Sequence, residues 1–109
     1  MRTILLAVLF CAAAFAQGDA GKGKALFEKN GCWQCHGYDG HGGAGAKLAP
    51  KPIALPAFIA YLRHPGPGNM PIYTTKVLSD AEVTDIWAFL KAMPDAKAAK
   101  DIPLLDKLR

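Results

Sequence analysis

Apolar residues recur at helical spacing near the end of the chain, where Val83, Ile86, Trp87 and Leu90 line one face between Ser79 and Met93. Ser79 and Glu82 form a capping box at its start, and Pro94 stops it. A second helix is predicted from Asp19 to Asn30, with Asp19 as N-cap, Leu26 and Phe27 as its main apolar residues and Asn30-Gly31 as a left-handed stop. Gly21 and Gly23 fall inside it. A glycine there costs about 1 kcal/mol against alanine, so at least one is expected to admit a neighbouring helix at close range. Pro56 to His64 reads as a short third helix with Phe58, Ile59 and Leu62 inward, ended by Pro65. Gly37 to Pro56 shows no periodicity and reads as a wrapping loop, and Gly66 to Pro71 as a turn-rich loop presenting the Met70 thioether. No segment reads as a strand and no repeat is present. The fold class is all-α.

The two ends stand apart from this domain, which is expected over residues 17–94. Arg2, the apolar stretch Ile4 to Ala14 and the small-x-small site Ala14-Phe15-Ala16 form a secretory leader over residues 1–16. The stretch is shorter than the roughly 18 apolar residues of a membrane span, so no stable anchor is expected. Cys11 follows the bulky Phe10, unlike a lipid-modified cysteine, and is read as part of the discarded leader. The tail, 95–109, is polar but carries Ile102, Leu104, Leu105 and Leu108. Self-packing or disorder is expected of it ahead of partner binding.

Composition narrows the class without changing this layout. A chain of 109 residues, 51% hydrophobic and 20% charged, supports one small core and excludes a disordered or collagen-like chain. Thirteen Lys and Arg against nine Asp and Glu give a net charge of +4, scattered singly. With no basic run, nucleic acid is not an expected partner.

The specific chemical signal is Cys32-Trp33-Gln34-Cys35-His36, the attachment pattern of c-type haem. Two thiols three positions apart can add to the two vinyl groups of one porphyrin, and the adjacent imidazole can then reach the iron. Export agrees with this reading, because bacteria attach such haem outside the cytoplasmic membrane. A thioredoxin-like redox pair would need a βαβ context, which the pattern lacks. A zinc site would need four ligands, and His41 and His64 are not paired at ligand spacing.

From about Asp19 to Met93 the chain resembles the small class I cytochromes c, which carry one haem with His and Met ligands. The resemblance rests on Gly23 to Phe27, Cys32 to His36, Gly68-Asn69-Met70-Pro71 and Ile86 to Lys91. It implies three to four helices wrapped around one covalent haem, with Gly23 and Phe27 meeting Ile86, Phe89 and Leu90. It also implies iron ligation by His36 and Met70. Soft thioether ligation raises the reduction potential, which suits an electron acceptor. Met93 ends an amphipathic helix and reads as core filling, while His41 and His64 read most simply as solvated loop residues, with His64 the one serious substitute for Met70. The carbonyl that orients His36 is expected at or next to Pro50, and Tyr61, Arg63 and Tyr73 are candidates for the haem propionates.

Filled axial positions suit outer-sphere electron transfer better than catalysis. The expected function is therefore that of a periplasmic electron-transfer cytochrome c, a free shuttle or the small haem subunit of a dehydrogenase, and not an enzyme by itself. Its expected partners are redox proteins such as a flavin or quinoprotein dehydrogenase and a terminal oxidase. The alternative is a haem protein with an open iron site, acting as a ligand sensor or peroxidase-like enzyme.

Overall fold

The computed structural model describes residues 17–108. The leader expected over residues 1–16 lies outside them. The described chain contains helices α1 (Ala20–Lys29), α2 (Cys32–His36), α3 (Leu55–Arg63), α4 (Asp80–Ala92) and α5 (Pro103–Asp106), with a 3-10 turn at Ala99–Asp101. It has no strand, as the periodicity predicted.

Both long helices begin at the caps expected of them. Asp19 accepts from the Lys22 backbone N–H at 3.0 Å, and Ser79 accepts from Glu82 N–H at 3.2 Å while the Glu82 carboxylate accepts from Ser79 N–H. These bonds satisfy amide donors that a helix start leaves without partners. They also hold the Glu82 carboxyl below its usual range, since the charged form is the better acceptor.

The crossing of α1 and α4 organises the core. A Cβ on Gly23 would lie 1.8 Å from the Asp85 carbonyl oxygen, so only hydrogen fits between the two backbones. Gly21 has no such neighbour; the nearest atom to a Cβ there is Asp19 Oδ1, at 3.3 Å. The Asp19 N–H donates to the Asp85 carboxylate at 2.7 Å and fixes the same crossing from its open side. One turn further along α1, Phe27 meets Phe89 with ring centroids 5.4 Å apart and planes inclined at 58°. Phe27 is fully buried, as are Leu78, Val83 and Leu90 in the same core cluster.

Helix α3 starts at Leu55, one residue before the expected Pro56, with proline in its first turn. It buries Phe58 and Leu62 and keeps Ile59 half-exposed. The long loop before it is tied to α4 where Trp87 Nε1 donates to the Ile53 carbonyl at 2.9 Å. In the tail, α5 packs against the 3-10 turn and, among the described residues, against no other helix. Leu104 and Leu108 are exposed, whereas Ile102 and Leu105 are half-buried.

Two substitutions separate close approach from helix propensity. Gly23→Ala is expected to lower stability by about 2–4 kcal/mol, because backbone must move apart, whereas Gly21→Ala changes it by no more than about 1 kcal/mol. Thermal unfolding of the two variants measures the difference. Glu82 gives a pH signature. Its folded pKa is depressed, so its contribution is complete above its ordinary value of 4.5 and is lost as pH falls through the lower folded value. Glu82→Gln is expected to be less stable than wild type at pH 7, with the gap closing in acid, as read by denaturant titration across pH.

Candidate functional site

A left-handed Gly31, with φ of 74°, turns the chain from the end of α1 directly into α2. That conformation is open to glycine and costly for a residue with a Cβ. The single turn of α2 then carries Cys32 and Cys35 three positions apart, which puts both on one face, with His36 as its last residue. This helix was not expected from the pattern, since five residues are too few to show a period. Both thiols are free. Cys32 is half-buried against the core, and that burial pushes its thiol up to about 11; Cys35 is exposed.

After α2 the loop curls back over the carbonyls that the short helix leaves open. Gly42 N–H donates to His36 O at 2.8 Å, and Gly45 N–H donates to Cys35 O at 2.7 Å. This return brings Ala46 beside the imidazole, where His36 Nδ1 donates to the Ala46 carbonyl at 2.7 Å. A carbonyl can only accept, so Nδ1 carries a proton, and in the neutral imidazole Nε2 then holds the lone pair. The expected acceptor at or next to Pro50 is therefore corrected to Ala46. The reason is local: glycines at 40, 42, 43 and 45 let the loop reverse within a few residues, so the chain reaches the ring before Pro50. Pro50 itself is half-buried behind Ala49, which is buried in the core. Gly45 also abuts the ring, since a Cβ there would lie 2.9 Å from His36 Cε1.

Met70 is half-buried and packs on the same apolar cluster as Cys32, Trp33, Leu48, Ile59 and Tyr73. Its segment is anchored by hydrogen bonds. Arg63 Nη1 donates to the Tyr73 carbonyl at 2.9 Å, Arg63 also pairs with Asp80 at 2.6 Å, and the Tyr73 hydroxyl donates to the Asn30 carbonyl at 2.9 Å. Tyr73 is raised above its ordinary pKa first by burial and then by the negative charge that Cys32 and Cys35 carry as thiolates. The side chains expected at haem propionates thus have protein partners at Arg63 and Tyr73, which brace the Met70 segment against the end of α1. Tyr61 is exposed on α3. Met93 packs on the core at the end of α4, as expected of a filling residue. His64 is exposed, while His41 is not merely solvated: its Nε2 donates to the Pro94 carbonyl at 2.8 Å.

Sequence reasoning missed two further features. Trp33 stacks on exposed Tyr38, with centroids 4.5 Å apart, and donates from Nε1 to the Glu28 carbonyl. The Ala46 carbonyl is a backbone group and left no residue-type signal; the glycine run around it was the only hint. Among the described residues, no three His, Cys, Asp or Glu side chains gather to hold a metal ion. The donor set instead comprises two unbonded thiols on one helical turn, an imidazole with Nε2 free to ligate, and a thioether on the same apolar cluster. These residues fit a covalently held haem.

The family model described as cytochrome c oxidase, cbb3-type, subunit III matches residues 18–90, which include every one of these groups. The chain belongs to the cytochrome c family. Its all-helical architecture is that of a class I cytochrome c. The cytochrome is 38% identical over 79 residues to a cytochrome bc1 complex cytochrome c subunit of Corynebacterium efficiens, covering 68% of this chain and 26% of that one. It is 35% identical over 82 residues to the protein of the same name from Mycobacterium bovis, covering 72% of this chain and 29% of that one. It therefore spans little more than a quarter of the length of the curated relatives it matches. No solved structure matches. Membership of the family implies haem binding. Among the described residues, no helix is long and apolar enough to cross a membrane.

Gly45→Ala tests the fit of this cytochrome's loop against its imidazole. The added methyl meets the ring and the Cys35 carbonyl, so a loss of about 1–3 kcal/mol is expected, as for other overpacked sites. The denaturation midpoint of the purified variant reports it.

Proposed function

We propose that the cytochrome carries one haem, joined by thioethers to Cys32 and Cys35 and ligated by His36 and Met70, and shuttles electrons between exported redox proteins. The observation that carries this reading is the 2.7 Å hydrogen bond from His36 Nδ1 to Ala46, which leaves Nε2 as the ring nitrogen available to iron, on the same short helix as both thiols. When bound, the haem supplies a one-electron couple. The chain tunes that couple through its ligands: a proton held at Nδ1 by a carbonyl makes the imidazole a better donor, and a soft thioether favours the reduced iron.

Ligation by both His36 and Met70 would leave a bound iron no vacant position for substrate, which supports electron transfer over catalysis by this chain alone. The names of the relatives point to a bc1-type complex as one candidate partner. A flavin or quinoprotein dehydrogenase and a terminal oxidase remain the other candidate donor and acceptor. The leader motif at residues 1–16 supports release into the periplasm after Ala16. Arg63 and Tyr73 act in this reading by holding the Met70 segment.

Mass and spectroscopy test the proposal. The mature chain is expected to exceed the mass of residues 17–109 by one haem that survives acidic organic extraction. Oxidised protein should show the far-red sulfur-to-iron band, which Met70→Ala abolishes and Met93→Ala preserves. Met70→Ala is also expected to lower the reduction potential and to bind carbon monoxide when reduced. Ready carbon monoxide binding by wild type, with no effect of Met70→Ala, would favour the open-site alternative.

A further inference from the structure

The loop that presents Ala46 is gripped from outside as well as from within. Its foot rests on α4: Gly40 is buried, and a Cβ there would lie 2.4 Å from Leu90 Cδ2. Gly40 O then accepts from both Leu48 and Ala49 N–H, at 2.8 and 2.9 Å, which closes the loop at its base. Two side chains from the loop reach the residues immediately beyond α4. His41 Nε2 donates to the Pro94 carbonyl at 2.8 Å, and Lys47 Nζ donates to the Asp95 carboxylate at 2.8 Å. The two gripping points lie on either side of Ala46 in the chain, and Lys47 is its immediate neighbour. The Asp95 carboxyl, anionic at neutral pH, is held below its usual range first by Lys47 and then by the Ala96 N–H, both of which bond the charged form.

We propose that Pro94 and Asp95, acting through His41 and Lys47, position the Ala46 carbonyl and thereby set the strength of the hydrogen bond from His36 Nδ1. The inference rests on the reading of His36 as the iron ligand. Residues 41, 47, 94 and 95 are positioning residues, since they act on His36 only through the loop. A short Nδ1–H to carbonyl bond draws the proton away from the ring and enriches Nε2, which favours the oxidised iron. With the clamp intact the reduction potential is lower than the same ligands would give on a slack loop. The end of α4 thus governs the electron affinity of a group bound by α2.

The test compares holoprotein variants that alter the clamp and leave every proposed ligand in place. His41→Ala removes a donor, His41→Gln restores an N–H, and the double exchange Lys47→Asp with Asp95→Lys reverses the ion pair at constant net charge. Redox titration and the exchange rate of the His36 Nδ1 proton, followed by NMR in the reduced state, are the readouts. His41→Ala is expected to shift the reduced-to-oxidised ratio at fixed poise about two- to fivefold toward reduced, the scale of one exposed polar pair, and to speed proton exchange by a similar factor. His41→Gln and the double exchange should return both values to within about twofold of wild type, while single Lys47→Asp speeds exchange. Wild-type potential and exchange in both His41→Ala and Lys47→Asp, with haem ligation by His36 intact, would overturn the clamp alone. A wild-type protein without a haem-ligated His36 would overturn the clamp together with the reading beneath it.

Discussion

The backbone contact between α1 and α4 at Gly23 constrains everything that follows in the chain. A hydrogen atom in place of a side chain lets the Asp85 carbonyl come in, and the Asp19 amide then closes on the Asp85 carboxylate. With the helices locked at that distance, Phe27 lies against Phe89 and the end of α1 is placed in space. Gly31 reverses the chain there without strain, so the thiols and imidazole of α2 inherit their position from a crossing more than one helical turn away. Burial of the aromatic pair together with Leu78, Val83, Ile86 and Leu90 supplies driving force at about 25 cal/mol for each Å² of apolar surface removed from water.

The site itself is built from irregular segments, and hydrogen bonds take over from packing as the means of placement. The 37–54 loop has no helix of its own. It is shaped by amides aimed at the open carbonyls of α2, each bond contributing about 1 kcal/mol net. The segment after Met70 is placed in a comparable way, by an arginine and a tyrosine that lead back to Asn30 at the end of α1. Both flanks of the site are therefore referred to the same helical corner. This gives a small domain a defined geometry around its two thiols, imidazole and thioether.

Much of this was legible from residue order. The caps at Asp19 and Ser79, the glycine at a helix crossing, the loop from Gly37 and the attachment motif each have a local cause that a sequence displays. The short α2 was not legible, because five residues do not reveal a period and its amides are satisfied by a later loop. The acceptor for His36, expected at or next to Pro50, is instead Ala46 for a related reason. A backbone carbonyl has no residue identity, and which carbonyl arrives depends on how tightly the glycines between 40 and 45 turn. Arg63 and Tyr73 were visible as polar donors, yet their bonds to Asp80 and Asn30 join positions 17 and 43 residues apart.

By itself the sequence determined the chemistry available and the elements that carry it: two thiols and an imidazole at attachment spacing, a thioether in a proline-flanked loop, and amphipathic helices with their own caps. Those properties depend on residue type and short-range spacing, which folding does not alter. Tertiary structure alone decided that Ala46 holds His36, that Gly23 rather than Gly21 meets Asp85, and that His41 and Lys47 bind the residues after α4. Each of these depends on the relative placement of distant segments, and that placement is set by the packing of the whole core.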